Sequence, residues 1–442
     1  MNIHLIAIGG SVMHNLAIAL HKNGNQISGS DDEIFEPSKS RLKKYNIFPK
    51  RSGWFPEKIT KNIDYIILGM HAKKDNPELL KAKKLNIPIY SFPEYIYKES
   101  KNKKRVVIGG SHGKTSITAM ILHVLKKLEV ECDYLVGAQL EGFETMVKIS
   151  KNSSLIILEG DEYLSSAIDK RPKFHLYKPH IGVISGIAWD HINVFPTFDI
   201  YVEQFKTFKE LVKETLIYFK DDKKLIKIIN QKNHCKTIGY NTPNHKIING
   251  KTIINGFKLN FFGEHNLQNL NAALLVCQEL GISKKLFFES ISSFKGASKR
   301  LELIKENKHT SIYKDFAHSP SKLKATIKSV KQQFPNRKLV SCMELHTFSS
   351  LNKKFLKEYS NSMDDTDLGI VYFNKKTIQN KKLNLISKKE VIDSFKRKDL
   401  KVFNDSNLLK DFLNSLSWKQ KNLLMMSSGN FNNLDLNKII SI

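Results

Sequence analysis

The stretch RVVIGGSHGKTSITAMILHVL, Arg105 to Leu125, decides how this chain is read. An apolar run, Val106 to Ile108, enters a glycine-rich turn, and a helical apolar pattern follows Gly-Lys-Thr. That is the grammar of a loop that wraps phosphate with backbone N–H groups and a helix N-terminus. The common form reads G-x-x-x-x-G-K-[ST]. Here the residue five before Gly113 is Ile108, so the turn is the shorter G-x-x-G-K-T, Gly110 to Thr115. In such a turn Lys114 reaches the terminal phosphates and the Thr115 hydroxyl faces Mg2+.

The sequence around the loop supplies acidic groups at strand ends. In SLIILEGDEY an apolar strand ends in Glu159, Asp161 and Glu162, natural Mg2+ partners beside a phosphate loop. A solvated acidic loop is the plain alternative. VISGIAWDHINVF repeats the pattern and ends in Asp190 and His191. Alone, His191 reads as a structural histidine; after a phosphate loop and an acidic strand end it fits a metal–phosphate site. GEHNLQNLNAAL puts His265, Asn266 and Asn269 at a helix start. The amides of Asn266 and Asn269, which share a helix face, suit either a purine edge or helix capping. Arg300 in KRLELI, and Asp315 and His318 in YKDFAHSP, are candidates to close over a nucleotide.

The chain has 442 residues, enough for two or three domains, and 41% hydrophobic content, enough for real cores. The pattern of strands alternating with helices predicts an α/β fold with largely parallel sheets. Three sections follow: 1–99, 104–299 and 300–442. The charged, non-periodic KESKNKKR (Lys98 to Arg105) reads as the first linker. The N-terminus, IAIGGSVMHNLAIALHKNGNQISGSD, ends a strand at Gly9 and Gly10 and a second near Asp31, without the full G-x-G-x-x-G.

Composition excludes several classes. No apolar run reaches the roughly 18 residues a membrane span needs, and MNIHLIAIGG reads as a strand rather than a signal peptide. The four cysteines (Cys132, Cys235, Cys277, Cys342) form no C-x-x-C pair, which fits a reducing cytoplasm. The net charge of +28 is spread along the whole chain, so it reads as lysine drift on solvated faces rather than a nucleic-acid site.

In their order, GGSHGKTS, EGDEY, WDHINVF, GEHNLQN, KRLEL and YKDFAHSP resemble the Mur ligase family across essentially the whole chain. The family's own loop is G-x-x-G-K-T. The resemblance implies an ATP-dependent, amide-forming ligase of peptidoglycan synthesis or recycling. It implies a Rossmann-like UDP-binding domain, a central P-loop ATPase domain and a C-terminal Rossmann-like domain for the amino acid or peptide. Lys114, Glu159 and His191 would be catalytic, with Thr115, Glu159 and His191 on Mg2+. ATP would meet Gly110, Ser111, His112, Gly113, Lys114, Thr115, Ser116, His265, Asn266, Asn269, Arg300 and Asp315. The UDP-sugar would meet Gly9, Gly10, Ser11, Asp31, and His71 and Asn76 in GMHAKKDNPEL. Lys170, Arg171, His318 and His346 would serve the peptide.

The glycine-rich start resembles the branch whose acceptor is UDP-N-acetylmuramate. EGDEYLSSAIDKRPKF resembles the murein tripeptide ligases, which add L-Ala-γ-D-Glu-meso-diaminopimelate. L-alanine-adding relatives usually carry D-E-S-D there and lack D-K-R. Substrates would be ATP, UDP-N-acetylmuramate and tripeptide, with no nucleic acid or membrane partner, and the protein a monomer or weak homo-oligomer. Departures exist. Gly186 and Ala188 stand where relatives often have Asn and Glu. Lys314 and Ser319 replace an Asp and a His, and MELHTFSSLN lacks the usual arginine. They bear on peptide specificity more than on ATP, and they leave open a degenerate member that binds nucleotides without ligating. Lys206 lies fifteen residues after His191, where some relatives carry a carbamylated lysine; a surface lysine is the simpler reading.

Overall fold

The computed structural model describes residues 1–189, 194–231, 234–296 and 301–435. Among them the chain forms two compact units, 1–243 with 265–291, and 244–264 with 292–442. No helix among the described residues is long and apolar enough to cross a membrane.

The first unit holds two sheets. One is all parallel: β1 (Asn2–Ile6), β2 (Gln26–Ser30), β3 (Tyr65–Leu68) and β4 (Ile89–Ser91), in the order β2-β1-β3-β4. The other has seven strands: β5 (Lys104–Gly109), β6 (Asp133–Leu135), β7 (Val147–Lys148), β8 (Leu155–Glu159), β9 (Ile181–Ile184), β10 (Thr215–Phe219) and β11 (Lys236–Tyr240). Its order is β11-β10-β9-β5-β8-β6-β7, parallel except where β6 meets β7. In the second unit, β12 (Lys246–Ile248), β13 (Lys251–Ile254) and β14 (Phe257–Leu259) make an antiparallel meander. Its main sheet comprises β15 (Glu302–Glu306), β16 (Ser311–Asp315), β17 (Lys338–Leu345), β18 (Leu368–Phe373), β19 (Lys401–Phe403) and β20 (Lys421–Met426). The order is β15-β16-β20-β17-β18-β19, parallel apart from the β15–β16 pair.

This topology places the glycine turns. A parallel sheet is covered on both faces, so its central strands are continuously apolar. Val106, Val107 and Ile108 of β5 are each 0% exposed, and each such side chain contributes about 1.5–3 kcal/mol on burial. β5 pairs β8 on one side and β9 on the other. The crevice beyond its C-terminal end is therefore a switch point, where open α/β sheets bind ligands. β1 sits between β2 and β3 in the same way, which places Gly9 and Gly10 at the second such crevice. Ile108 belongs to the strand, paired with Glu159 and Val183, and not to the turn.

The expected linker is shorter than its charge suggested. Lys98 and Glu99 lie in the helix Phe92–Glu99, and Lys104 and Arg105 lie in β5. Only residues 100–103 connect them. Arg105 is 2% exposed, with no acidic partner among its hydrogen bonds. Its guanidinium donates instead to five carbonyls: Ser100 (2.7 Å), Lys101 (2.9 Å), Lys103 (3.1 Å), Tyr177 (2.9 Å) and Lys178 (3.1 Å). A charge pattern that looks solvated is thus turned inward to tie the connection down. Helices beside the first sheet also bond to the segment before β7 of the second, through Met146 N donating to Asn15 Oδ1 at 2.9 Å and Arg41 donating to Gln139 Oε1 at 3.1 Å.

Replacing Arg105 by methionine keeps much of its volume and takes the guanidinium donor away from all five carbonyls, of which Ser100 O keeps the Lys103 N–H at 3.0 Å. Each buried group so stranded costs about 1–3 kcal/mol, so we expect a loss of about 3–5 kcal/mol after partial relaxation. Urea unfolding of Arg105→Met against the unaltered protein measures it, and a change under 1 kcal/mol would refute this account.

Candidate active site

The short turn after β5 is built by two glycines in conformations other residues avoid. Gly110 has φ +120° and Gly113 φ +81°. A Cβ on Gly110 would lie 2.2 Å from Ser185 Oγ, and one on Gly113 would lie 2.3 Å from Asn269 Oδ1. The turn is therefore pressed against the end of β9 and the helix Glu264–Glu279. The helix Lys114–Lys127 starts directly after Gly113. Its first N–H groups have no intrahelical acceptor and face the crevice, a ready anion cradle.

Around the turn the acidic strand end is fully engaged. Lys114 Nζ donates to Glu162 Oε2 at 2.6 Å and to Gly110 O at 2.7 Å. Thr115 Oγ1 donates to Glu159 Oε1 at 2.8 Å, and Gly137 N to Glu159 Oε2 at 2.9 Å. Lys173 Nζ holds Asp161 Oδ2 at 2.5 Å. Tyr201 OH donates to Glu162 Oε1 at 3.0 Å and meets Ser111 Oγ at 2.8 Å. Ser111 also takes N–H from Ala188 at 2.8 Å and gives its own N–H to Gly186 O at 3.0 Å. The two departures at 186 and 188 thus serve the turn through their backbone. Gly186 has φ +134°, a conformation that a residue with a Cβ would strain.

The charges respond to this crowding. Burial pushes the Glu159 carboxyl above its ordinary pKa, and the Gly137 N–H, the Thr115 hydroxyl and the Lys114 charge only partly offset it. Burial also works against charge on Asp161, but Lys173 and Lys114 outweigh it and hold that carboxyl below the ordinary value. For Lys114 burial opposes the ammonium, while Glu162, Asp161 and Glu159 overcome it and raise the pKa. Three carboxylates here face two ammonium groups. Glu159 has no direct cation partner among the described residues, and it shares a hydrogen bond with a hydroxyl. Hard oxygen donors with uncompensated charge suit Mg2+, so Thr115 and Glu159 fit that ion. Asp190, His191 and Arg300 lie outside the described residues.

Other expected residues fall into separate places. Asn269 is 9% exposed and touches the turn. His265 is exposed and contacts Gln268 Oε1 at 3.3 Å; Asn266 lies one residue further along the same helix, and His112 and Ser116 lie on and after the turn. In the β1 crevice Gly9 N donates to Asp31 Oδ2 at 2.7 Å, with Gly10 capping and Ser11 starting the next helix. Burial raises the Asp31 pKa; the N–H groups of Gly9 and Asp32, and the nearby His71, act in the opposite direction. Asn76 caps the helix Pro77–Lys84, accepting from Glu78 N at 3.0 Å and Leu79 N at 3.1 Å, so its oxygen is already committed.

Arg171 pairs with Asp169 at 2.6 Å and Glu94 at 3.2 Å, and Lys170 beside it is exposed. Lys206 pairs with Glu203 at 2.7 Å, one turn away on the helix Phe198–Leu211. In the second unit Asp315, at the end of β16, accepts from Leu301 N and Ala317 N at 2.7 Å each. His318 Nδ1 donates to Phe316 O at 2.9 Å, and Ser319 caps the helix Pro320–Gln333. Lys314 precedes Asp315 in β16, and His346 Nδ1 lies 3.7 Å from Glu344 Oε1. Sequence reasoning missed Tyr201, Lys173 and Gly137. Tyr201 reads as one more apolar position of an amphipathic helix, and no local spacing marks its hydroxyl.

Comparison with known proteins agrees with this geometry. Residues 2–104 match the model of the Mur ligase family catalytic domain, and 108–277 that of the Mur ligase middle domain. The UDP-N-acetylmuramate–L-alanine ligase of Caldicellulosiruptor bescii is 32% identical over 387 residues, 83% of this chain and 82% of that protein. Among solved structures, the UDP-N-acetylmuramate-alanine ligase of Thermotoga maritima superposes with a TM-score of 0.70 at 20% identity, covering 98% of this chain and 97% of the other. A murein peptide ligase from Psychrobacter arcticus gives 0.62 at 18% identity over the full length of both. The chain belongs to the Mur ligase family, the ATP-dependent amide-forming ligases of peptidoglycan synthesis.

Proposed function

We propose that this ligase joins L-Ala-γ-D-Glu-meso-diaminopimelate to the lactyl carboxylate of UDP-N-acetylmuramate, in the cytoplasm. The observation that carries the amine assignment is the hairpin after the acidic strand end. Ser165 N donates to Arg171 O at 3.0 Å, Ser166 N to Asp169 O at 3.1 Å, and Lys173 N to Tyr163 O at 3.0 Å. It draws the D-E-Y and D-K-R halves of the tripeptide-ligase pattern together, and Lys173 then reaches back to Asp161. Lys170 and Arg171, at its tip, are the side chains we assign to the peptide, with His318 and His346 of the second unit. A second reading is L-alanine as the amine. It is favoured by the name of the 32%-identical relative.

The chemistry follows from charge. A carboxylate has no good leaving group, so the γ-phosphoryl of ATP is first placed on it, and the amine then displaces phosphate. Two anions must be brought together for the first step. In this reading Lys114 and the N–H groups of residues 110–116 hold the triphosphate, and Lys114 stabilises the charge on the transferring group. Thr115 and Glu159, with His191, would hold Mg2+, which supplies further charge neutralisation when bound. His265, Asn266 and Asn269 would meet the adenine, Arg300 the γ-phosphate and Asp315 the ribose. Gly9, Gly10, Ser11, Asp31, His71 and Asn76 would hold the UDP moiety. The division of labour assigns 1–99 to the UDP-sugar, 104–299 to ATP and 300–442 to the amine.

An amine screen tests the assignment. Protein, ATP, Mg2+ and UDP-N-acetylmuramate with the tripeptide should release ADP and give a UDP-muramyl-tripeptide by mass. Product with L-alanine and none with tripeptide moves the assignment to the second reading, and nucleotide binding without turnover on any amine makes the chain a degenerate member. Lys114→Ala should lower kcat by about 10²–10³-fold, the usual cost of losing one transition-state charge contact. Glu159→Gln should raise the Mg2+ concentration for half-maximal activity by about tenfold or more, and weaken Mn2+ binding in a direct titration to the same degree. Lys206→Ala should keep full activity with no dependence on carbon dioxide.

A further inference from the structure

Tyr201 lies on the helix Phe198–Leu211, outside every motif that marks the phosphate turn, and it is 0% exposed. Its ring packs against Phe195 (5.4 Å between centroids) and Phe205 (5.2 Å), as a core aromatic would. Its hydroxyl does something else. Because the phenol gives its single proton to Glu162 Oε1, the 2.8 Å contact with Ser111 must run from the serine hydroxyl to the tyrosine oxygen. The serine oxygen in turn accepts from Ala188 N. The bonds therefore follow one direction: Ala188 N–H to Ser111, Ser111 O–H to Tyr201, Tyr201 O–H to Glu162. On its other oxygen Glu162 accepts from Lys114, whose ammonium also reaches Gly110 O. One hydroxyl thus joins both ends of the phosphate turn, Ser111 on one side and Lys114 on the other.

We propose that Tyr201 is a positioning residue for phosphoryl transfer: through Glu162 it fixes the ammonium of Lys114, and through Ser111 it fixes the backbone of the turn. It touches no phosphate itself. Removing the hydroxyl leaves the charge of Lys114 and its attraction for the bound triphosphate in place. What is lost is the alignment that matters in the transition state, where a small misplacement is costly. The consequence is a fall in kcat with little change in KM for ATP.

The proposal rests on the ligase reading, and wild-type turnover on its own amine is the control: its absence would defeat that reading and not this one. Tyr201→Phe keeps the ring and its packing, and a matched melting temperature verifies the fold. Its kcat should drop about tenfold, the kinetic equivalent of one hydrogen bond, with KM for ATP within about threefold. Glu162→Gln should also lower kcat, and Tyr201→Phe added to it should cost less than about twofold more, because the tyrosine acts through that carboxylate. Wild-type kcat in Tyr201→Phe overturns the proposal. So does wild-type kcat in Glu162→Gln, or a double variant whose loss is the full product of the two single losses.

Discussion

The crowding of carboxylates around one lysine governs this molecule. Glu159, Asp161 and Glu162 sit at the end of β8 within reach of Lys114, and a second ammonium, Lys173, is brought back by the hairpin to hold Asp161. So much like charge in a buried place is tolerated only when every oxygen has a donor. That requirement explains why Gly137 N, the Thr115 hydroxyl and the Tyr201 hydroxyl all converge there. It also explains why Gly137, in the segment before β7, reaches back to Glu159, and why 161–173, which looks like a loop, is closed by hydrogen bonds of its own.

The phosphate turn was legible because its signals are local. A buried strand, glycines and a following helix lie within twenty residues, and the α/β alternation follows from the same periodicity. The missing glycine at 108 was resolved by burial: Ile108 is a strand residue at 0% exposure. Other features were not legible, for stated physical reasons. Arg105 looked like part of a solvated linker because its partners are backbone carbonyls, which leave no trace in composition. Tyr201 carries its information in one hydroxyl ninety residues from its serine partner. An asparagine before proline gives no local sign of which use its side chain serves, and the oxygen of Asn76 caps a helix.

The departures from the family pattern divide by the kind of contact they make. Gly186 and Ala188 contribute carbonyl and N–H groups to Ser111, so their side chains can change while the turn keeps its shape. Lys314 and Ser319 belong to the second unit, where Ser319 takes the N-cap position of a helix without a side-chain bond to it and Lys314 sits in β16 before Asp315. Backbone-mediated functions survive substitution, while side-chain recognition does not.

The ordered run of bonds from Ala188 to Glu162 has one more implication. Each hydroxyl in it has a single orientation, since reversing any one would set two donors or two acceptors against each other. Their rotational freedom was surrendered when the chain folded. When a charged ligand arrives, the hydroxyl dipoles beside Lys114 are already oriented, so their contribution to the field at the turn needs no reorganisation.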